Sequence, residues 1–565
     1  MPNRYSKPHI CQCLSRILTL RRTATVTISG DRRKTGEEFV DGVLGLARGL
    51  VKLGLRPGDV VAVSAYNSDL YLEWLLAVAH VGGILAPLNY RWSFEETRFA
   101  LEAVRPVLLV VDESYRWDLE SVNGTVNSLK WLVFMVSASS MSNSGHNGLT
   151  TEMLKSWTPK SSPLGYSWTP EGEVLICFTS GTTGKPKGVT ISHTALIVQS
   201  LAKMAVVGYT EDDVYLHTAP LCHIGGISSA MAILMAGGCH VLMPKFESTA
   251  AIEAIERNHV TSFITVPTMM ADLISVLRLK KTWEGTESVK KILNGGGSLA
   301  VKLLEDVISF FHNTKIFSAY GMTETCSSLT FMLLYNPQIE NKQHDVKRIY
   351  DVGSGFIPHL GGLCVGKPAP HIEIKVHYEP GSSDRGRILT RGPHVMLGYW
   401  GQSSSMATGL GEEEWFDTGD VGQIDDDGNL WLIGRRNGRI KSGGENVYPE
   451  EVEAVLLLHP GIHRVVVVGL AHRRFGEMVL ACIQLKEDWE WSDKTVDDFA
   501  SSRNFYLTSE ILKQHCRDKD MTGFKVPKMF ILWRKPFPLT STGKLRRDQV
   551  KIEATQLLQS LDSSL

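Results

Sequence analysis

Ten residues in a row, Thr179-Ser180-Gly181-Thr182-Thr183-Gly184-Lys185-Pro186-Lys187-Gly188, bring glycines, hydroxyls and two lysines into one short segment. Gly181, Gly184 and Gly188 let backbone N–H groups turn inward, while the hydroxyls and ammonium groups add donors and positive charge. An anionic polyphosphate requires that combination. A Walker A loop is excluded, because Pro186 follows Gly184-Lys185 where a magnesium-binding Ser or Thr would stand. Later strings carry further reactive types. They are Tyr320-Gly321-Met322-Thr323-Glu324, Asp417-Thr418-Gly419-Asp420 with Gly434-Arg435 after it, Lys441-Ser442-Gly443-Gly444-Glu445-Asn446, and Pro538-Leu539-Thr540-Ser541-Thr542-Gly543-Lys544. A lysine taken alone is usually a solvated surface group. Only its place in its string lifts Lys544 above that.

Such residues need a rigid scaffold, and the pattern around them supplies one. An apolar run, Val174 to Phe178, enters the first string, and a helical stretch from His193 leaves it. Upstream, an amphipathic stretch from Glu37 to Leu53 turns into Val60–Val63, a helix covers 70–81, and Ile84–Leu88 follows. Another helix begins near Ser93, and Val107 to Val111 is a continuous apolar strand. Short β-branched runs alternating with helices predict parallel sheets covered on both faces. Residues 137–148 and 335–357 read as polar connections. After residue 420 a hairpin is expected around Asp425–Asn429, then a helix from Val447 to Leu458 with Pro449 in its first turn, then a buried strand over Val465–Val468. Lys525 to Lys551 carries eight cations against one acid, Asp548, and reads as a solvated face or a partner for an anionic co-substrate. The expected class is α/β with α+β: a large N-terminal domain of layered β–α sheets, residues 1–436, and a small C-terminal α+β domain, residues 437–565.

Composition excludes broad classes. The 565-residue chain holds 59 Lys+Arg against 60 Asp+Glu, so no global basic field points to nucleic acid and no acidic excess to disorder. Gly 51 and Pro 23 are ordinary usage, which removes collagen and low-complexity readings. Nine cysteines are far too few for a disulfide scaffold, and Cys11 and Cys13 have no second pair to complete a zinc site. A soluble enzyme of a reducing compartment fits. The longest apolar run, Leu72–Leu88, is broken by Glu73, His80 and Gly82-Gly83, and reads as a buried helix running into a strand rather than a membrane span. The first thirty residues contain Arg4, Lys7, Arg16, Arg21 and Arg22 without an acid, as organellar transit peptides do. Thr23 to Ile28 also reads as a first strand, which would leave only about the first dozen residues as an address. The Ser563-Ser564-Leu565 end is a variant of the Ser-Lys-Leu peroxisomal address.

In wording, order and spacing the strings resemble the adenylate-forming superfamily, which groups acyl-CoA synthetases, peptide-synthetase adenylation domains and luciferases. The resemblance runs from residue 179 to 544. It implies that family's fold with a mobile C-terminal domain, and it implies ATP, Mg2+, coenzyme A and a small-molecule carboxylic acid. The oligomeric state stays open. A carboxylate is a poor electrophile, so the family first joins it to the α-phosphorus of ATP and expels pyrophosphate. Two anions must meet, which needs fixed positive charge. On the matching positions, Thr179, Ser180, Gly181, Thr182, Thr183 and Gly184 would cradle phosphates, while Lys185 and Lys187 steady the departing pyrophosphate. Glu324 would hold magnesium through the phosphates. Ala319, Tyr320, Gly321, Met322 and Thr323 would bind the nucleotide, with Tyr320 stacked on adenine and Gly295, Gly296 and Gly297 bordering the site. Asp420 would take the ribose hydroxyls beside Arg435. Lys544 would supply charge during adenylation, and Lys441 would contact AMP in one of two states. For the second half-reaction the small domain would turn about Asn437 and bring up Gly443 and Gly444, where glycine lets pantetheine pass close to backbone. Asn437 stands where Asp or Lys is usual, and Gly438 follows where Asp is common; Asn tolerates unusual backbone angles, so a hinge still works.

The acid is less directly legible. Pro220-Leu221-Cys222-His223-Ile224-Gly225-Gly226-Ile227-Ser228 fits the family's His-bearing segment near the acyl group, and Gly295 to Gly297 leave room for a flat ring. That segment and Tyr320–Ser328 resemble the o-succinylbenzoate–CoA ligases of menaquinone and phylloquinone synthesis, whose plant members are placed in chloroplast and peroxisome. Such a substrate is a dicarboxylate, so a second cationic or polar anchor is expected. His223 and Ser228 are candidates, with a structural hydrogen bond equally open for His223. A 4-coumarate-like or medium-chain fatty acyl–CoA ligase shares every ATP string and differs in the pocket. A non-catalytic homologue is disfavoured, because Lys544, Glu324 and Asp420 are all present.

Overall fold

The computed structural model describes residues 7–112, 126–136, 148–161, 164–179, 186–299, 301–339, 362–378, 385–402, 415–435, 438–442, 445–472, 476–492, 505–519, 521, 523–540 and 544–562. They fall into two compact units, one drawn from 1–341, 366–373 and 390–416, the other from 342–365, 374–389 and 417–565. The boundary expected at Asn437 lies outside the described residues.

Burial in the first unit begins at His9, and α1 (Gln12–Leu20) packs Cys13, Leu14 and Ile17 into the main core. The first dozen residues are therefore not free as a group, and Arg16, Arg21 and Arg22 belong to the folded unit. Arg22 pairs with Glu37 at 2.8 Å. β1 (Thr25–Ser29) and β2 (Arg32–Thr35) follow. Thr35 and Glu38 then form a capping box that starts α2 (Gly36–Leu53) where the amphipathic stripe begins. Next come β3 (Val60–Ser64), α3 (Asp69–His80), β4 (Ile84–Pro87), α4 (Phe94–Val104), β5 (Leu108–Asp112), β6 (Trp131–Met135), β7 (Leu149–Thr150), α5 (Thr151–Ser156), β8 (Glu173–Thr179) and β9 (Lys187–Ser192). Every residue of α3 is buried, as the reading of Leu72–Leu88 as an interior helix requires.

The second half of this unit repeats the alternation: α6 (His193–Val207), β10 (Val214–His217), α7 (Ile224–Ala236), β11 (Cys239–Leu242), α8 (Ser248–Asn258), β12 (Ser262–Thr265), α9 (Pro267–Leu279), β13 (Lys291–Asn294), α10 (Val301–Phe310), β14 (Lys315–Met322) and β15 (Ser327–Tyr335). One sheet has the order β2-β1-β11-β10-β12-β13-β14-β15, parallel from β1 through β14, and β16 (Leu363–Pro368) adds to β15 at Lys367 and Pro368. The other has the order β7-β6-β5-β3-β4-β8-β9, parallel except for the β8–β9 pair. Their strands are continuous buried runs, as parallel sheets with both faces covered demand.

β17 (Glu373–Tyr378) and its neighbour β18 (Gly386–Arg391) lie in the second unit from Ile374 to Leu389. The chain then returns to the first unit, where β19 (Gly398–Tyr399) pairs with β9. β20 (Phe416–Ile424) and β21 (Leu430–Arg435) form the expected hairpin, and Asp425 closes it by accepting from the Asn429 amide and the Trp431 indole, each at 2.8 Å. β22 (Ile440–Ser442), β23 (Glu445–Val447), α11 (Pro449–Leu457), β24 (Ile462–His472) and β25 (Gly476–Leu485) complete an α+β layer, with Met529–Leu532 parallel to β25. All nine cysteines are buried thiols. No helix among the described residues is long and apolar enough to cross a membrane.

Candidate functional site

The first string begins at the end of β8 and finishes at the start of β9. β8 and β9 pair antiparallel with Phe178 opposite Gly188 and Thr179 opposite Lys187. Ser180, Gly181, Thr182, Thr183, Gly184 and Lys185 lie outside the described residues. The helix α6 starts only after β9, so a strand, not a helix N-terminus, leaves the string. The β-branched run Val189-Thr190-Ile191 is the reason. Gly188 also has a different role from a phosphate donor. A Cβ there would lie 2.8 Å from Ile176 Cγ2, so glycine is what lets β9 close on β8.

The same hairpin carries a charge cluster. β19 runs antiparallel to β9, with Tyr399 opposite Val189. Tyr399 donates its hydroxyl to Glu324 Oε1 at 3.0 Å, and Lys187 Nζ lies 5.2 Å from the centre of the Tyr399 ring. Burial first, and then the adjoining Glu324 carboxylate, raise the Tyr399 hydroxyl above its ordinary value. It stays a donor. Glu324 is only 8% exposed and sits in the 3-10 turn Thr323–Thr325 at the end of β14, whose backbone is tied down by Met396 N donating to Glu324 O at 2.8 Å. Sequence reasoning found Lys187 and Glu324 but not Tyr399. Nothing in Leu397-Gly398-Tyr399 marks a functional tyrosine until the strand is seen against β9.

Ala319, Tyr320, Gly321, Met322 lie on β14, opposite Phe331, Thr330, Ser328 and Ser327 of β15. A Cβ on Gly321 would fall 1.7 Å from Ser327 O, so only glycine permits this approach. Thr325 fastens the turn through Met322, accepting from its amide at 3.3 Å and donating to its carbonyl at 3.1 Å.

The parallel strands bring the acyl-site candidates to one edge. β10, β12 and β13 end, respectively, in Thr218–His223, Val266-Pro267 and Gly295–Gly297, beside residues 319–322. Ligands bind at the carboxyl ends of such strands. Gly295 faces open space, and Gly296 alone of the three needs glycine for its backbone, at φ +71°. Asn294 Nδ2 donates to Gly297 O at 2.6 Å and holds the turn. His223 is the N-cap residue of α7 and half-buried; its carbonyl accepts from the Gly226 and Ile227 amides, both at 3.0 Å. Asn67, which sequence reasoning did not pick out, steadies this segment by accepting from Leu221 N at 2.8 Å and donating to Ala219 O at 3.1 Å.

Ser228 is fully buried, with an unforeseen partner. Lys203, on α6, is 0% exposed, and its ammonium donates to Ser228 Oγ at 2.6 Å, Ser229 Oγ at 3.0 Å and Ser327 Oγ at 3.4 Å. Burial pushes this lysine down to about 7, with Cys326 opposing the shift.

The second unit holds the remaining candidates. Asp420 and Arg435 are register partners across the β20–β21 hairpin, with Arg435 Nε 3.3 Å from Asp420 Oδ1. Asp420 is 3% exposed, and its amide donates to Thr418 Oγ1 at 3.1 Å. A buried carboxylate beside an exposed guanidinium suits a diol. Lys441 stands opposite Asn446 in the β22–β23 pair; Gly443, Gly444 and Asn437 lie outside the described residues. Lys544 is exposed, its amide donating to Thr540 Oγ1 at 3.0 Å and its carbonyl accepting from Thr540 N at 2.7 Å. The basic stretch around it is not a solvated face throughout. Lys525 is buried against Glu451, and Arg547 reaches Glu450 at 3.0 Å and Glu453 at 2.8 Å. Acids of α11, far away in sequence, supply the compensation.

These two units and their clusters define an AMP-binding enzyme. The profile described as AMP-binding enzyme matches residues 18–400, that of the AMP-binding enzyme C-terminal domain matches 451–544, and the chain belongs to this family. The chain is 56% identical over 568 residues to the 2-succinylbenzoate–CoA ligase, chloroplastic/peroxisomal, of Arabidopsis thaliana, covering 99% of this chain and 100% of that protein. An indoleacetate–CoA ligase of Aromatoleum aromaticum is 30% identical over 90% of each chain. Among solved structures, the o-succinylbenzoate CoA synthetase of Bacillus subtilis in complex with its acyl-adenylate intermediate matches with a TM-score of 0.73 at 26% identity, covering 96% of this chain and 98% of that one. The mixed α/β fold of the adenylate-forming enzymes is thus the fold of this chain.

Proposed function

We propose that this chain is an AMP-forming acid–thiol ligase that joins 2-succinylbenzoate to coenzyme A, using ATP. One observation carries the choice of acid: the 56% likeness to a 2-succinylbenzoate–CoA ligase spans 99% of the chain, acyl segments included. ATP strings are shared by relatives that use other acids, so a likeness confined to them would not discriminate.

In the first half-reaction a carboxylate oxygen attacks the α-phosphorus of ATP, the bond to the β-phosphate oxygen breaks, and pyrophosphate leaves. Lys187 and the loop before it meet the phosphates, and Lys544 offsets charge where the two anions join. Asp420 and Arg435 hold the ribose, and β14 carries the face for adenine. Glu324 fits magnesium: it is a buried, oriented carboxylate with Tyr399 on one oxygen, and Mg2+ typically takes one or two carboxylates and completes its shell with phosphate and water. When bound there, the ion neutralises phosphate charge. In the second half-reaction the thiol sulfur attacks the acyl carbon, the carbon–oxygen bond to AMP breaks, and the thiol proton is lost. A turn of the C-terminal domain about Asn437 would bring Lys441, Gly443 and Gly444 forward for this step. Chloroplast and peroxisome are the compartments this reading favours, in line with the plant relative, and phylloquinone synthesis is the route it serves.

CoA-dependent AMP release tests the reading. Assayed with 2-succinylbenzoate, 4-coumarate, octanoate and indoleacetate, the enzyme should rank 2-succinylbenzoate first in kcat/KM. A higher rank for any of the other three would overturn the substrate assignment. Lys544→Ala should slow adenylation ~100- to 1000-fold while still passing a supplied acyl-adenylate to CoA.

A further inference from the structure

We infer that Lys203 binds the substrate carboxylate that is not activated, entering the acyl site past Ser327. The inference rests on the reading of the substrate as a dicarboxylic acid.

Lys203 is a buried cation without an acid. Among the described residues only serine hydroxyls, of Ser228, Ser229 and Ser327, accept from its ammonium, and no carboxylate lies within ion-pair reach. An isolated ammonium in the interior is costly and persists where an anion arrives to complete it. The three hydroxyls come from different places. Ser228 lies on α7, in the segment that begins with His223, and Ser327 lies on β15 opposite Met322. Lys203 therefore ties together the acyl-site and nucleotide-site segments. No other lysine among the candidate residues does so.

The enclosure of the ammonium is weakest at Ser327. Ser228 and Ser229 are fully buried, whereas Ser327 is half-buried and makes the longest of the three bonds, at 3.4 Å. A carboxylate oxygen can take or share that place. Ser327 is held at φ +103°, a region that L residues rarely adopt, immediately after Cys326 at φ +52°. Strain of this kind persists where the surroundings require the conformation, and it clusters at binding sites. The depressed ammonium fits the same picture, since an arriving carboxylate favours the charged form and opposes the effect of burial.

The test compares acids, not only rates. 4-Oxo-4-phenylbutanoate and 2-butanoylbenzoate each lack one of the two carboxylates of 2-succinylbenzoate. Wild-type enzyme should use the diacid about 100-fold better in kcat/KM than whichever single acid it turns over, the scale expected for one buried charged partner. Lys203→Met should lose that preference, dropping on the diacid and keeping its rate on the single acid. Lys203→Gln, which keeps a donor for the serines, is read in the same way and covers a Met variant that does not fold. A variant that falls equally on both acids, or keeps the wild-type preference, overturns the assignment alone. A wild type that uses the single acid as well as the diacid overturns the substrate reading together with it.

Discussion

Two places in the first unit carry charge into the interior, and they do so in opposite ways: one buries Asp69 and Glu73, the other Lys203. Around α3, Lys34 reaches Asp69 at 2.7 Å and Glu73 at 2.5 Å, and Lys155 reaches Glu73 at 2.6 Å and Glu152 at 2.9 Å. Arg32 adds a second bond to Asp69, and Gly42 leaves space that a Cβ would take from Glu73. Arg32, Lys34, Glu73, Glu152 and Lys155 line a cavity of about 680 Å³ whose walls carry both signs of charge. Burial works against the charge on Asp69, yet Arg32 and Lys34 hold its carboxyl below the ordinary value. Lys34 is held above its ordinary value by Glu73 and Asp69 against the same opposition. Around Lys203 no acid is supplied, and burial wins. A closed ion network belongs to the fold. A cation left open is kept for a ligand.

Glu73→Ala breaks the first arrangement most severely. It removes the fully buried carboxylate that Lys34 and Lys155 share, leaving Lys34 with Asp69 and Lys155 with Glu152, and should cost ~3–5 kcal/mol, read as a lower denaturant midpoint for the first unit, with kcat per folded molecule unchanged. Lys203→Met should do the reverse. Without substrate it should be as stable as wild type or more so, by up to ~4 kcal/mol. A loss of stability as large as that of Glu73→Ala would erase the contrast between the two sites.

pH sharpens the comparison. With its folded-state value near 7 against an ordinary 10.5, Lys203 destabilises the fold fully below pH 7, and the penalty fades as pH rises through that interval. The stability gap between Lys203→Met and wild type should therefore be widest below pH 7 and narrow toward pH 10.5. Asp69, being lowered, stabilises above its ordinary value of 3.8 and loses that contribution as pH falls through its folded value. Urea titrations between pH 7 and 10.5 would show the Lys203 slope, and titrations below pH 3.8 the Asp69 slope. Tyr399→Phe should have the smallest effect. Removing one neutral donor from Glu324 should slow adenylation about tenfold and raise the magnesium requirement, leaving transfer from a supplied acyl-adenylate intact.

Much of this molecule was legible from residue order. The reactive strings needed no geometry, and the alternation of buried strands with helices predicted the parallel sheets. What stayed hidden depended on partners distant in sequence. Lys203, in Leu201-Ala202-Lys203-Met204, looks like any helix-surface lysine until Ser228, Ser229 and Ser327 close over it. Lys525 and Arg547 looked solvated because Glu450, Glu451 and Glu453 lie some seventy to a hundred residues upstream. The helix expected from His193 is α6, whereas the strand β9 between the string and that helix was not expected, although Val189-Thr190-Ile191 is a visible β-branched signal.

The claim that an uncompensated buried lysine is reserved for substrate is tested most directly by melting wild type and Lys203→Met with and without 2-succinylbenzoate, a non-hydrolysable ATP analogue being present throughout. The wild-type midpoint should rise with the diacid and saturate, while the variant should start at or above wild type and gain little. An equal rise in both proteins, or a variant that starts well below wild type, would contradict the account.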